Sequence, residues 1–154
     1  MTERPPDPPT QDVIWAIIDE TVRRWSDELG GVQVLAGWPG DLLAAESVWC
    51  SSIEATEREV PGFVGDTRVM VDETYSVLWE IEVHKSRTMA TTQERLSQII
   101  GALDSTLRED PRMGEFPGLI ETLFTTPYRR TAGLSAEGHQ GYAQLNQQVR
   151  IRLE

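Results

Sequence analysis

The strongest constraint in this chain is the run Asp72-Glu-Thr-Tyr-Ser-Val-Leu-Trp-Glu-Ile-Glu-Val-His84. In an extended chain Tyr75, Val77, Trp79, Ile81 and Val83 share one face. Thr74, Ser76, Glu80, Glu82 and His84 share the other, with Leu78 as the exception. A period of two sustained this long predicts a strand from about 69 to 85. One face packs on helices and the other meets water or a partner. The segment 141–154 repeats the pattern. It sets Ala143, Leu145, Val149, Ile151 and Leu153 against Gln144, Asn146, Gln148, Arg150 and Arg152.

Shorter extended segments are predicted at 32–36, at 46–57 around Val48, Trp49 and Ile53, and at 119–126, resuming after Pro127. Two helices break the series. Ile14, Ile18, Val22, Trp25 and Leu29 recur at spacings of three and four, so a helix capped by Thr10 runs to the Gly30-Gly31 stop. Asp12 in its first turn suits the helix dipole. Thr91 and Glu94 have the spacing of a capping box, ahead of the stripe Leu96, Ile99, Ile100, Leu103 and Leu107; Pro111 ends that helix. Gly37-Trp-Pro-Gly-Asp41 reads as a turn in which Gly40 is free to take a positive φ. The stretch from Glu59 to Arg68 has a proline, two glycines and no period, and reads as a long loop.

The order is therefore α-β-β-β-α-β-β. Consecutive strands joined by turns make a mostly antiparallel sheet of about five strands, with both helices on one face: a two-layer α+β fold. Residues 1–10, with four prolines in the first nine, form an extended arm; 11–154 form one domain.

Composition narrows the function. The chain is 39% hydrophobic and 25% charged, and no apolar run is long enough to cross a bilayer. The start of the chain lacks the apolar core of a signal peptide. Its one cysteine, Cys50, excludes an internal disulfide and a cysteine-based zinc site, fits synthesis in a reducing compartment, and reads as a buried structural thiol. A net charge of −11 argues against wrapping nucleic acid.

The charge is uneven. Residues 41–82 hold ten acids (Asp41, Glu46, Glu54, Glu57, Glu59, Asp66, Asp72, Glu73, Glu80 and Glu82) against Arg58 and Arg68. Residues 128–154 hold Arg129, Arg130, Arg150 and Arg152 against Glu137 and Glu154. The plain reading is a solvated acidic surface; the sharper one is two complementary faces that meet between copies.

No catalytic constellation converges. A restriction-type nuclease would need an Asp and a Glu-x-Lys, yet Lys85 follows Glu82 by three and points to the opposite strand face. His84 and His139 have no companions at a ligand spacing. Gly37-Trp-Pro-Gly40 has no lysine to meet a phosphate, and Ser47, Ser51, Ser52 and Ser76 lie in strands rather than in a nucleophile elbow. Trp25 and Trp79 sit in apolar stripes and belong to the core. Trp15, off the stripe, and Trp38, in a turn, are better placed for a partner surface.

In this order the segments resemble a family. Gly37-Trp-Pro-Gly40 is followed by Val48-Trp49, then Gly65-Asp-Thr-Arg68 leading into Asp72-Glu-Thr-Tyr-Ser-Val77. Leu107-Arg-Glu-Asp-Pro-Arg-Met-Gly114, Ser135-Ala-Glu-Gly138 and Val149-Arg-Ile-Arg152 complete the series. Over most of 11–154 the chain resembles the tail terminator proteins of long-tailed bacteriophages, also described as minor tail or head–tail joining proteins, and those of actinobacterial phages in particular.

The resemblance implies a virion protein, assembled in the host cytoplasm. Six copies form a ring at the head-proximal end of the tail tube. The ring binds the tube protein, ends polymerisation and offers a docking surface to the head connector. DNA passes through the lumen without specific binding. The family brings no catalytic residue, cofactor or membrane contact. On this reading Arg58, Phe63, Arg68, Glu80, Glu82, Arg150 and Arg152 are the contacts between subunits or between rings, with the 57–71 segment against a neighbouring ring. The alternatives are a head-completion or stopper protein of the neck, or an unidentified cytoplasmic enzyme.

Overall fold

The computed structural model describes residues 10–40, 44–64, 68–86, 88–135 and 138–153. The description includes side chains except those of residues 10–12, 63, 64, 68, 85, 86, 126–128, 130–135, 138 and 139. The Thr10 cap and the acid at Asp12 thus lie outside the described side chains.

The element order is α1 (Thr10–Glu28), β1 (Gln33–Leu35), β2 (Glu46–Val64), β3 (Arg68–Ser86), α2 (Met89–Glu109), β4 (Leu119–Ser135) and β5 (Gly138–Leu153). The α-β-β-β-α-β-β order and the α+β class hold. One mixed sheet runs β1-β2-β3-β5-β4. Among the described strands only β1 is parallel to its neighbour; the other pairings are antiparallel. Strand β5 is last in sequence but lies between β3 and β4.

The alternation along β3 does what its period demands. Tyr75, Val77, Trp79, Ile81 and Val83 are buried with Ala143, Leu145, Val149 and Ile151 of β5, Ile14, Ile17, Ile18 and Trp25 of α1, and Leu96, Ile99, Leu103 and Leu107 of α2. Trp25 meets Trp79 edge-on, with ring centroids 4.7 Å apart, and stacks on Phe124 at 5.7 Å. Gly141 lets α2 lie close on β5: a Cβ there would come within 3.0 Å of the Thr92 side chain and 3.4 Å of Leu96.

Three expectations need correction. The α2 N-cap is Thr88, whose Oγ1 accepts from Thr91 N at 3.1 Å; Thr91 lies inside the helix. Three threonines and a serine precede the apolar stripe here, and spacing alone does not choose among them. Thr74, assigned to the wet face, is buried. It is flanked in register by Glu57 on one side and Arg150 on the other, both long enough to roof a small side chain.

The third correction is larger. The described residues of 59–68 are strand, not loop. They extend the β2–β3 ladder outward through Gly62↔Met70 and Phe63↔Val69 to Val64↔Arg68. The ladder absorbs Pro61 at a register shift between Glu59 and Gly62, one of three along β2. A bulge is where a sheet tolerates a residue without an N–H. Pro127 sits likewise in the shift between Thr125 and Arg129 of β4.

At about 3.3 Å per residue the 19 residues of β2 reach about 60 Å, against about 30 Å for the 21 residues of α2. The hairpin therefore outruns the helices. Residues 54–61 of β2 are all exposed, Val60 at 60%.

Candidate functional site

The outward face of the central strands carries a hydrogen-bonded ladder of polar side chains. Glu80 is its hub: its carboxylate accepts from Trp49 Nε1 at 3.2 Å, from Gln144 Nε2 at 3.3 Å and from the Tyr142 hydroxyl. Glu82 accepts from Gln140, and Ser76 Oγ donates to Asn146, which donates onward to Thr125 at 3.2 Å. Burial and the Glu80 carboxylate push the Tyr142 hydroxyl up to about 12, so it stays protonated and acts as a donor.

The predicted basic partners lie on the same sheet. Arg152 forms a two-pronged pair with Asp72, Nε to Oδ1 at 2.7 Å and an Nη to Oδ2 at 2.8 Å. Arg150 reaches Glu121 at 3.2 Å. Arg58, with its side chain 70% exposed, stands 4.0 Å from Glu73. The acidic middle and the arginine-bearing end thus meet first inside one chain, because β3 and β5 are neighbours. Glu80 and Glu82 are likewise engaged by their own sheet. The Phe63 and Arg68 side chains, and that of Arg130, lie outside those described. Arg129 is exposed on β4, and Glu54, Glu57 and Glu59 are exposed on β2.

Two long strand edges are open. Strand β1 covers β2 only as far as Leu35↔Trp49. Beyond Trp49 the outer edge of β2 has no neighbouring strand among the described residues, and β4 ends the sheet on the other side.

The tryptophans sort as their positions in sequence predict. Trp25 and Trp79 are fully buried, while Trp15 is 47% and Trp38 is 62% exposed. What sequence does not reveal is that Trp38 packs edge-on against Trp49 at 4.9 Å. With Trp15 and Glu80 these rings line an open cleft of about 510 Å³ at the start of the β2 edge. Cys50 forms part of the wall; burial pushes its thiol up to about 11, and Sγ lies 3.7 Å from the Ser52 carbonyl. It is buried, as expected.

Among the described residues no group of three or more His, Cys, Asp or Glu side chains is placed to hold a metal ion. The His139 side chain is not among them. No helix among the described residues is long and apolar enough to cross a membrane.

The fold defines a mixed-sheet α+β protein with a polar outer face and open edges. No family model matches the chain, and no curated protein matches it. Among solved structures it is similar to a chain titled "Virion of native gene transfer agent (GTA) particle", at 11% identity and a TM-score of 0.44, over 96% of this chain and 100% of the other.

Proposed function

We propose that this chain is a structural protein of a phage-like virion and, within that class, the tail terminator. Six copies would close a ring on the head-proximal end of the tail tube, stop its growth and dock the head connector. The observation that carries the reading is the pair of open edges. A monomer whose protruding β2 edge and whose β4 edge have no strand neighbour among the described residues invites strand pairing with other chains. A closed ring of head-to-tail contacts uses such edges up. The described charges favour one pairing: Glu54, Glu57 and Glu59 on the β2 edge face solvent, as does Arg129 on β4. The ordered likeness to tail terminators in the sequence points the same way.

The protruding β2–β3 hairpin, with Arg58, Phe63 and Arg68, is assigned to the neighbouring ring. A tube grows because its end presents an unsatisfied copy of its own interface; a terminator binds that end and presents a different one. Deleting the gene is the test. Tubes should start normally, lose length control and fail to join heads. Ordinary infectious particles from the deletion would overturn the reading.

A further inference from the structure

One row of side chains crosses the outer face of the sheet from β2 to β4. Trp49 on β2 is opposite Glu80 on β3, Glu80 is opposite Gln144 on β5, and Gln144 is opposite Arg129 on β4. Directly opposed residues share a face, so these side chains stand in line. The two ends of the row differ. At the β2 end lies the tryptophan cleft, where Trp38 sits edge-on to Trp49 and Glu80 forms part of the lining. At the β4 end is Arg129, exposed and without an ion pair among the described residues.

The chemistry of the cleft selects a cation. Trp15 and Trp38 leave 47% and 62% of their surface to solvent, and an indole face attracts a guanidinium through its quadrupole. Glu80 adds a full negative charge. Its donors, Trp49, Tyr142 and Gln144, are all neutral, and no described cation forms an ion pair with it. Neutral donors fix a carboxylate without cancelling its charge, and a partly buried carboxylate gains from a cationic partner. A guanidinium suits both walls, because it stacks on rings and pairs with carboxylates. Arg129 cannot fill the cleft of its own chain. It lies three strand spacings from Trp49, about 14 Å, and the cleft opens at the β2 edge beyond.

We infer that Arg129 of one copy enters the tryptophan cleft of the next and pairs there with Glu80, so that the row continues from one subunit into its neighbour. The inference rests on the ring reading and names the contact that closes the ring. Strand β1 stops at Leu35, opposite Trp49, so a neighbour's β4 edge has access to β2 from residue 50 outward, beside the cleft. The contact is head-to-tail. Each copy gives a cation at one edge and receives one at the other, as a closed ring of like subunits requires.

Sedimentation velocity of the purified full chain at low salt, from micromolar to several hundred micromolar, tests the contact. The unaltered chain should self-associate. Arg129→Ala and Trp38→Ala should each weaken association about ten-fold, and the double variant should be no weaker than either, because both changes remove one contact. Both side chains are exposed, so each variant should keep its fold, which a thermal melt checks. Mixed in equal amounts, the two single variants should form pairs at the unaltered affinity and nothing larger. In that mixture Arg129 of the Trp38→Ala chain meets the intact cleft of the Arg129→Ala chain. An unaltered chain that stays monomeric overturns the inference. So does an Arg129→Ala chain that associates normally, a double variant weakened by the product of the two single effects, or a mixture that does not pair. Tail length after gene deletion is read separately, so failure of this contact is distinguishable from failure of the ring reading.

Discussion

The indole of Trp79 donates to the side-chain oxygen of Gln147 at 2.7 Å, deep in the core. The Gln147 amide in turn donates to Thr122 Oγ1 at 2.8 Å and to Thr21 Oγ1 at 3.4 Å. One buried side chain thus ties together β3, β4, β5 and α1. Trp25, edge-on to Trp79, has a buried Nε1 with no acceptor among the described residues. Replacing either indole by phenylalanine removes similar volume, but only Trp79→Phe strands an acceptor. Trp79→Phe should therefore cost about 1–3 kcal/mol more than Trp25→Phe in equilibrium urea unfolding. Equal costs would show that the amide is held by its threonines alone. Trp79→Ala should cost about 3–5 kcal/mol.

The Asp72–Arg152 pair predicts an acid-dependent loss of stability. Hydrogen bonding and charge from Arg152 hold the Asp72 carboxyl below its usual 3.8. A folded-state pKa depressed in this way contributes stability that is present above the unfolded value and lost as pH falls through the folded one. The unaltered chain should exceed Asp72→Asn by about 1–2 kcal/mol at neutral pH, since the pair is two-pronged but Arg152 is partly exposed. The gap should begin to close below about pH 4 and vanish in stronger acid. A gap that persists to the lowest pH at which both chains fold would mean that the asparagine is damaging packing instead.

Charge reversal separates assembly from folding. Arg150→Glu with Arg152→Glu should weaken ring closure, but Arg152→Glu also sets a carboxylate against Asp72 and must lower monomer stability. Arg129→Glu has no such complication, because Arg129 is exposed. It should leave the melting temperature within about 2 °C, as surface substitutions do, and reduce assembly at low salt. Normal assembly of both variants at low salt would end the charge-complementarity idea and leave the ring itself standing.

Shortening the projecting hairpin in register, by removing residues 60–71 and joining Glu59 to Asp72 through Asn-Gly, should give a folded chain that keeps the Asp72–Arg152 pair but no longer caps tubes. Electron microscopy of tails made with the shortened protein reads the outcome. Tails of normal length joined to heads would mean that the neighbouring ring is met elsewhere.

The alternation at 72–84 disclosed β3, its buried face and the antiparallel partner it needs, because a half-buried strand has no other way to satisfy both faces. The helix stripes were equally plain, although Ile17 and Thr21 widen the buried face of α1 beyond the stripe. The outer half of the hairpin was hidden. Proline and glycine normally end a strand, and only the partner strand reveals that Pro61 falls in a bulge. Gln147 was hidden in a different way: parity puts it on the core face, but nothing local says that Thr21, Thr122 and Trp79 will be there to satisfy it. The assigned contacts split similarly. Arg152 and Glu80 were visible as charges, whereas their use within the chain depends on β5 lying against β3, a pairing set by tertiary structure. The tryptophan cleft is assembled from residues 15, 38 and 49, which no window along the chain brings together.

The place of β5 between β3 and β4 also governs how the molecule folds. The hairpin of β2 and β3 forms from adjacent sequence, and so does that of β4 and β5. Joining them requires Ser86 to find His139 across everything between, including α2. Such non-local pairing is slow, on the order of milliseconds to seconds for sheets of this kind. Until it happens the edge of β3 that takes β5 is unpaired. The step that completes the sheet is therefore the one most vulnerable to association with other unfinished chains. Crowded synthesis of many copies would put the greatest pressure on that step.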